Sequence, residues 1–368
     1  THGASSPPGA LRDASRGSTP WRLAKPRAAT PNAEGTIAPR WPGARARSTL
    51  PGDVLGHYWT LRPFLAARLR APEPPPSRAF GVVVPDARHG SIVLRGLYAC
   101  PPEARACVLI VHGLGGDAQS EYAVQAARAA HARGLASLRL ELRGADGSGD
   151  DVYHAAISGD LRAALASPEL ARFEALYLLG YSLGGHVALR ATTEGASLDE
   201  RVRATAAICP PIDLELGARA FDGARSFPYR RHVLASLVPI AEALARRGRL
   251  PCALDEARRV SRIRDWDRLV VAPRFGHASA EDYYASASVA PRLSELARPT
   301  LVVAAERDPM VPADVVRAGL AQSKSDRLEL RWVDRGGHVG FPPSFELGEA
   351  GPRGLAPQVL AWLQRAGG

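Results

Sequence analysis

The sequence predicts a doubly wound α/β domain, with a mostly parallel eight-stranded sheet, helices on both faces and a helical cap between strands 6 and 7. Eight short apolar runs occupy 80–84, 91–98, 106–112, 136–142, 176–179, 204–208, 300–305 and 328–333. Most are separated by segments of helical length such as 122–133 and 159–165, the rhythm of parallel strands joined by crossover helices. The rhythm stops between Pro210 and Pro299, where helical periodicity continues without a strand-like run.

The elements follow from the N-terminus. Residues 1–50 carry eight basic and two acidic side chains, many Pro, Ser and Ala, and no apolar periodicity. Such a segment cannot offset its own ordering entropy, so a disordered tail is expected there and a single folded domain over 51–368. After the Pro-rich break at 72–76 the strand runs begin, and the third ends in the loop His112-Gly113-Leu114-Gly115-Gly116. The fifth leads into Gly180-Tyr181-Ser182-Leu183-Gly184 and then a helical stretch at 186–193. The cap is expected over about 214–290, where Leu234, Leu237, Val238, Ala241, Leu244 and Ala245 form one apolar face. Pro239 lies in that pattern and is expected to kink or divide the helix, leaving a cap of short pieces.

Composition narrows the function classes. The net charge of +10 is regional: the tail holds +6, residues 219–264 hold +7, and the remainder sums to −3. No zinc spacing, aromatic RNA-stacking motif or basic recognition helix accompanies the charge, so no nucleic-acid partner is expected. Cys100, Cys107, Cys209 and Cys252 have neither metal nor redox spacing and read as free thiols in a reducing compartment. The chain contains no apolar run long enough to span a membrane and no secretory signal, which makes a cytoplasmic location the expectation. The basic cap region suggests peripheral contact with anionic lipid, against the plainer reading of an ordinary solvated face.

Reactive groups of an open α/β sheet belong at the carboxyl ends of its strands. Ser182 follows the fifth run, in the Gly-x-Ser-x-Gly pattern of a nucleophile elbow, where the flanking glycines permit the sharp strand-to-helix turn. Asp308 follows the seventh, with Glu306 as a rival acid, and His338 follows the eighth. The order Ser, Asp, His is that of α/β-hydrolases. Its gaps of 126 and 30 residues leave room for a strand plus cap and for a helix plus strand. His338 would take the serine proton and Asp308 would fix the imidazole tautomer, while the amides of Leu114 and Leu183 would receive the developing oxyanion. His112 reads as shaping its loop, and His186 is assigned no chemistry.

These residues resemble one branch of the α/β-hydrolases, the YheT-like hydrolases, which include plant embryogenesis-associated proteins and animal abhydrolase-domain lipases. The likeness spans most of the chain: Gly56-His57 with Thr60, the His-Gly-Leu-Gly-Gly loop, Arg143-Gly144 with Gly147-Ser148, Tyr153-His154 with Ser158-Gly159, and the elbow. It continues through Cys209-Pro210-Pro211-Ile212-Asp213-Leu214, Ala280-Glu281-Asp282-Tyr283-Tyr284, Asp308-Pro309-Met310-Val311-Pro312 and Gly336-Gly337-His338-Val339-Gly340-Phe341. The resemblance implies a serine hydrolase of carboxylic esters, with small-molecule or lipid esters as substrates. The chemistry calls for no metal or organic cofactor. An acyltransferase using the same triad and a binding protein with an unused pocket are the alternatives. Serine at the elbow, where dehalogenases and epoxide hydrolases carry a carboxylate, argues against those reactions.

Overall fold

A computed structural model describes residues 52–69 and 71–368. The tail expected over 1–50 lies outside the described residues. Eight strands form one sheet: β1 (Arg78–Asp86), β2 (Gly90–Ala99), β3 (Ala106–Val111), β4 (Ala136–Leu140), β5 (Ala175–Tyr181), β6 (Val202–Ile208), β7 (Thr300–Ala305) and β8 (Leu328–Val333). Each coincides with one of the apolar runs. The spatial order is β1-β2-β4-β3-β5-β6-β7-β8. β2 pairs antiparallel with both β1 and β4, and every other pairing is parallel.

The central strands are apolar on both faces because both are covered. Val108 and Ile110 of β3 pack with α2 (Glu121–Ala132) and α12 (Leu355–Gly367) on one face. Cys107, Leu109 and Val111 point to the other, which holds α3 (Ser158–Leu165) and α4 (Leu183–Thr193). A residue step along the strand changes face, so a strand of this kind reads as a continuous apolar run rather than an alternating one.

The segment between β6 and β7 is helical. It holds α5 (Leu214–Phe221), α6 (Phe227–Arg246), α7 (Leu254–Arg259), α8 (Ile263–Trp266), a π turn at Asp267–Val271, α9 (Ala272–Phe275) and α10 (Ala280–Ala287). α11 (Ala313–Leu320) lies between β7 and β8. The expected division at Pro239 is corrected here, since α6 runs through it as a single helix of 20 residues, while the remaining cap helices are short pieces. Pro239 lies on its exposed side, while Val233, Leu234 and Leu237 before it and Ile240, Ala241 and Leu244 after it are buried together. A helix-interior proline costs about 3 kcal/mol, and each large aliphatic side chain buried on both sides of it returns about 1.5–3 kcal/mol.

Two helices had no forecast in the sequence: α12 and α1 (Gly52–Leu69). α1 contains Pro63, and Leu55 and Trp59 are buried whereas Val54, Tyr58, Leu61, Phe64 and Leu65 are exposed. Its apolar residues therefore do not form one stripe, and periodicity had little to detect.

A buried ion network joins cap to sheet. Arg143 after β4 binds Asp160 of α3, Asp151 at 3.0 Å and Asp86 of β1 at 3.3 Å. Arg274 of α9 reaches Asp151 at 2.7 Å and Asp86 at 2.9 Å. Burial works against the Asp86 carboxylate, but the His89 amide and Arg274 hold its pKa down at about 2.

Candidate active site

β5 ends at Tyr181 and α4 begins at Leu183, so Ser182 alone makes the turn. Its backbone sits at φ 52° and ψ −120°, a conformation a residue with a side chain occupies only when its surroundings enforce it. The glycines show why it fits. A Cβ at Gly180 would lie 2.2 Å from the Gly184 carbonyl oxygen, and one at Gly184 would lie 2.4 Å from the Val111 and His112 oxygens. The turn is pinned by Ser182 N–H donating to Ile208 O at 2.8 Å and by His186 N–H donating to Ser182 O at 3.1 Å.

The two residues expected to partner the serine are brought together. His338 Nδ1 lies 2.9 Å from Asp308 Oδ2; because a carboxylate only accepts, Nδ1 carries the proton and Nε2 presents its lone pair. Asp308 is 2% exposed and His338 5% exposed. Asp308 Oδ1 accepts the N–H groups of Met310 at 2.8 Å and Val311 at 2.9 Å, which fixes the carboxylate plane. The rival acid Glu306 is taken up elsewhere, paired with Arg317 at 2.6 Å. Ser182, His338, Leu114 and Leu183 all line one cavity of about 1380 Å³. Among the described residues Ser182 Oγ makes no hydrogen bond, with His338 or otherwise. That contact commonly tightens only with substrate bound.

The loop after β3 has its amides sorted. Gly113 N–H donates to the Tyr122 hydroxyl at 3.0 Å, Gly115 N–H to the Tyr153 hydroxyl at 2.7 Å, and Gly116 N–H to Gly113 O at 3.1 Å. Leu114 N–H has no such partner among the described residues, as an amide reserved for an oxyanion requires. Leu183 is the first residue of α4, whose opening N–H groups have no intrahelical acceptor. His112 is buried, which lowers its pKa and keeps it neutral. Its Nδ1 donates to Gly113 O at 2.8 Å and its Nε2 accepts Leu142 N–H at 3.1 Å, a loop-shaping arrangement. His186 lies between the Pro211 and Ala287 carbonyls, away from this chemistry.

Several supporting residues escaped the sequence reading of the chemistry. Thr60 of α1 accepts His338 N–H through its hydroxyl at 2.8 Å. Gly337 allows that approach, since a Cβ there would sit 2.3 Å from Gly56 O. Tyr122 and Tyr153 hold the 112–116 loop from α2 and from the loop before α3. Spacing along the chain gives no sign of such contacts. Cys209 Sγ, Asp308 and His338 offer ligand atoms within 4.8 Å of one another. Burial pushes the Cys209 thiol pKa up, so it stays protonated and is a poor metal ligand, while Asp308 and His338 are bonded to each other.

Seven arginines of the basic cap segment are engaged by carboxylates. Arg219, Arg230, Arg247, Arg249, Arg258, Arg259 and Arg264 each lie in an ion pair. Among the described residues no helix is long and apolar enough to cross a membrane.

Comparison with known proteins agrees with this architecture. The alpha/beta hydrolase family model matches residues 108–346. YheT of Escherichia coli (strain K12), an esterase candidate by name, is 32% identical over 241 residues, covering 64% of this chain and 70% of that one. An esterase candidate of Synechocystis sp. is 30% identical over 181 residues, 44% of this chain and 48% of its own. A monoacylglycerol lipase of Saccharomyces cerevisiae is 26% identical over 176 residues, 45% of this chain and 38% of its own. The matched span carries the elbow, the capped sheet and the strand-end loops, and the chain belongs to the alpha/beta hydrolase family, in its YheT-like, esterase-type branch.

Proposed function

We propose that this protein hydrolyses carboxylic esters through an acyl-enzyme on Ser182, with His338 as general base and acid, Asp308 as its orienting carboxylate, and the Leu114 and Leu183 amides as oxyanion donors. The observation that carries the reading is the buried Asp308–His338 pair, at 2.9 Å, beside the same cavity as a serine held at positive φ. In the first step Ser182 Oγ attacks the ester carbonyl, its proton passes to His338 Nε2, and the same proton leaves with the departing alcohol. Water then gives a proton to His338, its hydroxide attacks the acyl carbonyl, and the carboxylic acid departs as Ser182 recovers its proton. Asp308 stabilises the imidazolium at both steps. Each oxyanion amide contributes about 3–4 kcal/mol at the tetrahedral stage. The names of the relatives support small-molecule or acylglycerol-type esters as the substrate class. Residues 51–368 act as one domain in this reading, with the cap over 214–290 forming the roof of the pocket.

A fluorescent fluorophosphonate tests the reading without presuming a substrate. It is expected to label the wild-type protein, and to fail on Ser182→Ala and His338→Ala. A folded wild type that stays unlabelled would overturn the hydrolytic assignment.

A further inference from the structure

Apolar side chains are prominent on the cap side of the cavity, including Leu214, Phe221, Ile263 and Val271. A polar cluster interrupts this chemistry, where Asp267, Tyr283, Tyr284 and His154 line the same cavity. Asp267 opens the π turn among Ile263, Trp266, Val270 and Val271, all buried apolar residues, and is itself only 9% exposed. The Tyr284 hydroxyl donates to its Oδ2 at 2.6 Å. Its Oδ1 has no hydrogen-bond partner among the described residues, and Asp267 lines the cavity. The charge of Arg264, itself paired with Glu215 and Glu281, acts on this carboxyl but is outweighed by burial. Leaving a buried carboxyl oxygen unpaired is costly, and a hydroxyl group at Oδ1 would remove that cost.

The surrounding groups define what can bind. Burial raises the Asp267 pKa to about 7, so the neutral acid, able to donate as well as accept, persists close to neutrality. Burial, and then the charge of Arg143, pushes His154 down to about 3, so that ring is neutral too. Its Nδ1 accepts Ala156 N–H at 3.3 Å, which puts the ring proton on Nε2. With the acid and the ring both neutral, this wall offers no opposite charge to a cationic group. The Asp267 carboxyl disfavours an anion. An uncharged hydroxyl satisfies both conditions. The wall is also tied to the reaction centre, since Tyr153 holds the Gly115 amide while Ala155, two residues on, donates its N–H to the Tyr283 hydroxyl at 2.8 Å.

We propose that Asp267, oriented by Tyr284, is a specificity-determining residue that selects esters carrying a hydroxyl on the acyl or alcohol chain, through a hydrogen bond at Asp267 Oδ1. The inference rests on the ester-hydrolase reading of Ser182 and deepens it.

Binding can be measured without turnover. Straight-chain diols with a hydroxyl at each end and mono-alcohols of the same length are titrated calorimetrically into the full-length wild type, Asp267→Leu and Asp267→Asn. A site built around a hydroxyl discriminates strongly against the analogue that lacks it. The best-fitting diol is expected to bind the wild type at least about tenfold tighter than its mono-alcohol. That ratio is expected to fall to about one in Asp267→Leu and to an intermediate value in Asp267→Asn, whose amide can still hydrogen-bond. Equal affinities in the wild type, no measurable diol binding, or an unchanged ratio in Asp267→Leu would each overturn the proposal. Should Asp267→Leu fail to fold, the isosteric Asp267→Asn and Tyr284→Phe, which removes the orienting donor, carry the same comparison and must each lower the ratio.

Hydroxyacyl aryl esters and diol monoesters, each against its deoxy counterpart, then show by kcat/KM which side of the ester bears the hydroxyl. Fluorophosphonate labelling of the same proteins separates the two readings. Labelling without diol preference refutes only the role of Asp267, whereas diol preference without labelling refutes only the hydrolase chemistry.

Discussion

Ser182 keeps its left-handed backbone because Gly180 and Gly184 leave no Cβ in the way, and the 112–116 loop beside it is held by two phenols as well as by its own backbone bond from Gly116 to Gly113. Tyr153→Phe removes the acceptor of Gly115 N–H and lets the loop relax. A fall in kcat of about tenfold is expected, with KM little changed, because the loss of about 1.4 kcal/mol is felt where the oxyanion develops. Steady-state kinetics on an ester that both proteins turn over would check this, and a change in KM alone would contradict it. Two buried acids make stability pH-dependent. Burial raises the pKa of Asp267 from 3.8 to about 7 and that of Glu141 from 4.5 to about 7. The folded state therefore binds more protons than the unfolded state across that window, and stability declines as pH rises from about 4 to about 7. Asp86, with its pKa held at about 2, acts in the other direction at lower pH, where its contribution is lost on acidification. Urea midpoints of the wild type are expected to fall between about pH 5 and about pH 8, and those of Glu141→Gln/Asp267→Asn to fall less. Parallel profiles would refute the assignment to these two groups.

Among the elements, the attachment of α9 to the sheet is the contact most exposed to a single substitution. Asp151 is fully buried, and its carboxylate is shared between Arg143 and Arg274. Arg274→Ala leaves that charge undercompensated and is expected to cost about 3–5 kcal/mol by chemical denaturation, in line with other broken buried pairs. A cost below about 1 kcal/mol would mean that the cap is held by apolar packing alone. α1 shows a second kind of dependence. It reaches the catalytic loop through Thr60 and the cap through His57, whose Nδ1 lies 2.6 Å from the Tyr229 hydroxyl. The helix was illegible in the sequence because its apolar residues scatter around it, and its contacts are made with residues 172 and 278 positions away. α6 was legible as a helix but not as one piece, since the local rule for Pro239 was outweighed by burial on the face opposite.

At the scale of the whole molecule, part of the basic charge of the cap is met locally, because Arg219, Arg230, Arg247, Arg249, Arg258, Arg259 and Arg264 meet carboxylates of the cap and of the loop at Asp150. Cosedimentation with anionic vesicles is expected to be weak and to change little between about 50 and about 150 mM salt. Strong adsorption abolished by salt would restore the lipid-surface reading of the cap. The eight strands and the Ser, Asp, His order were legible in the linear chain, because strands buried on both faces write continuous apolar runs and strand-end chemistry sits directly after them. Glycines two residues either side of Ser182 announced the elbow for the same local reason. Only the tertiary structure separated Asp308 from Glu306, by giving one to His338 and the other to Arg317, and only it placed Thr60, Tyr122, Tyr153 and Asp267 around the cavity. Periodicity and turn chemistry are carried by near neighbours and survive in sequence. The partner of a buried polar atom is chosen by packing between distant segments, and that choice exists only once the chain has folded.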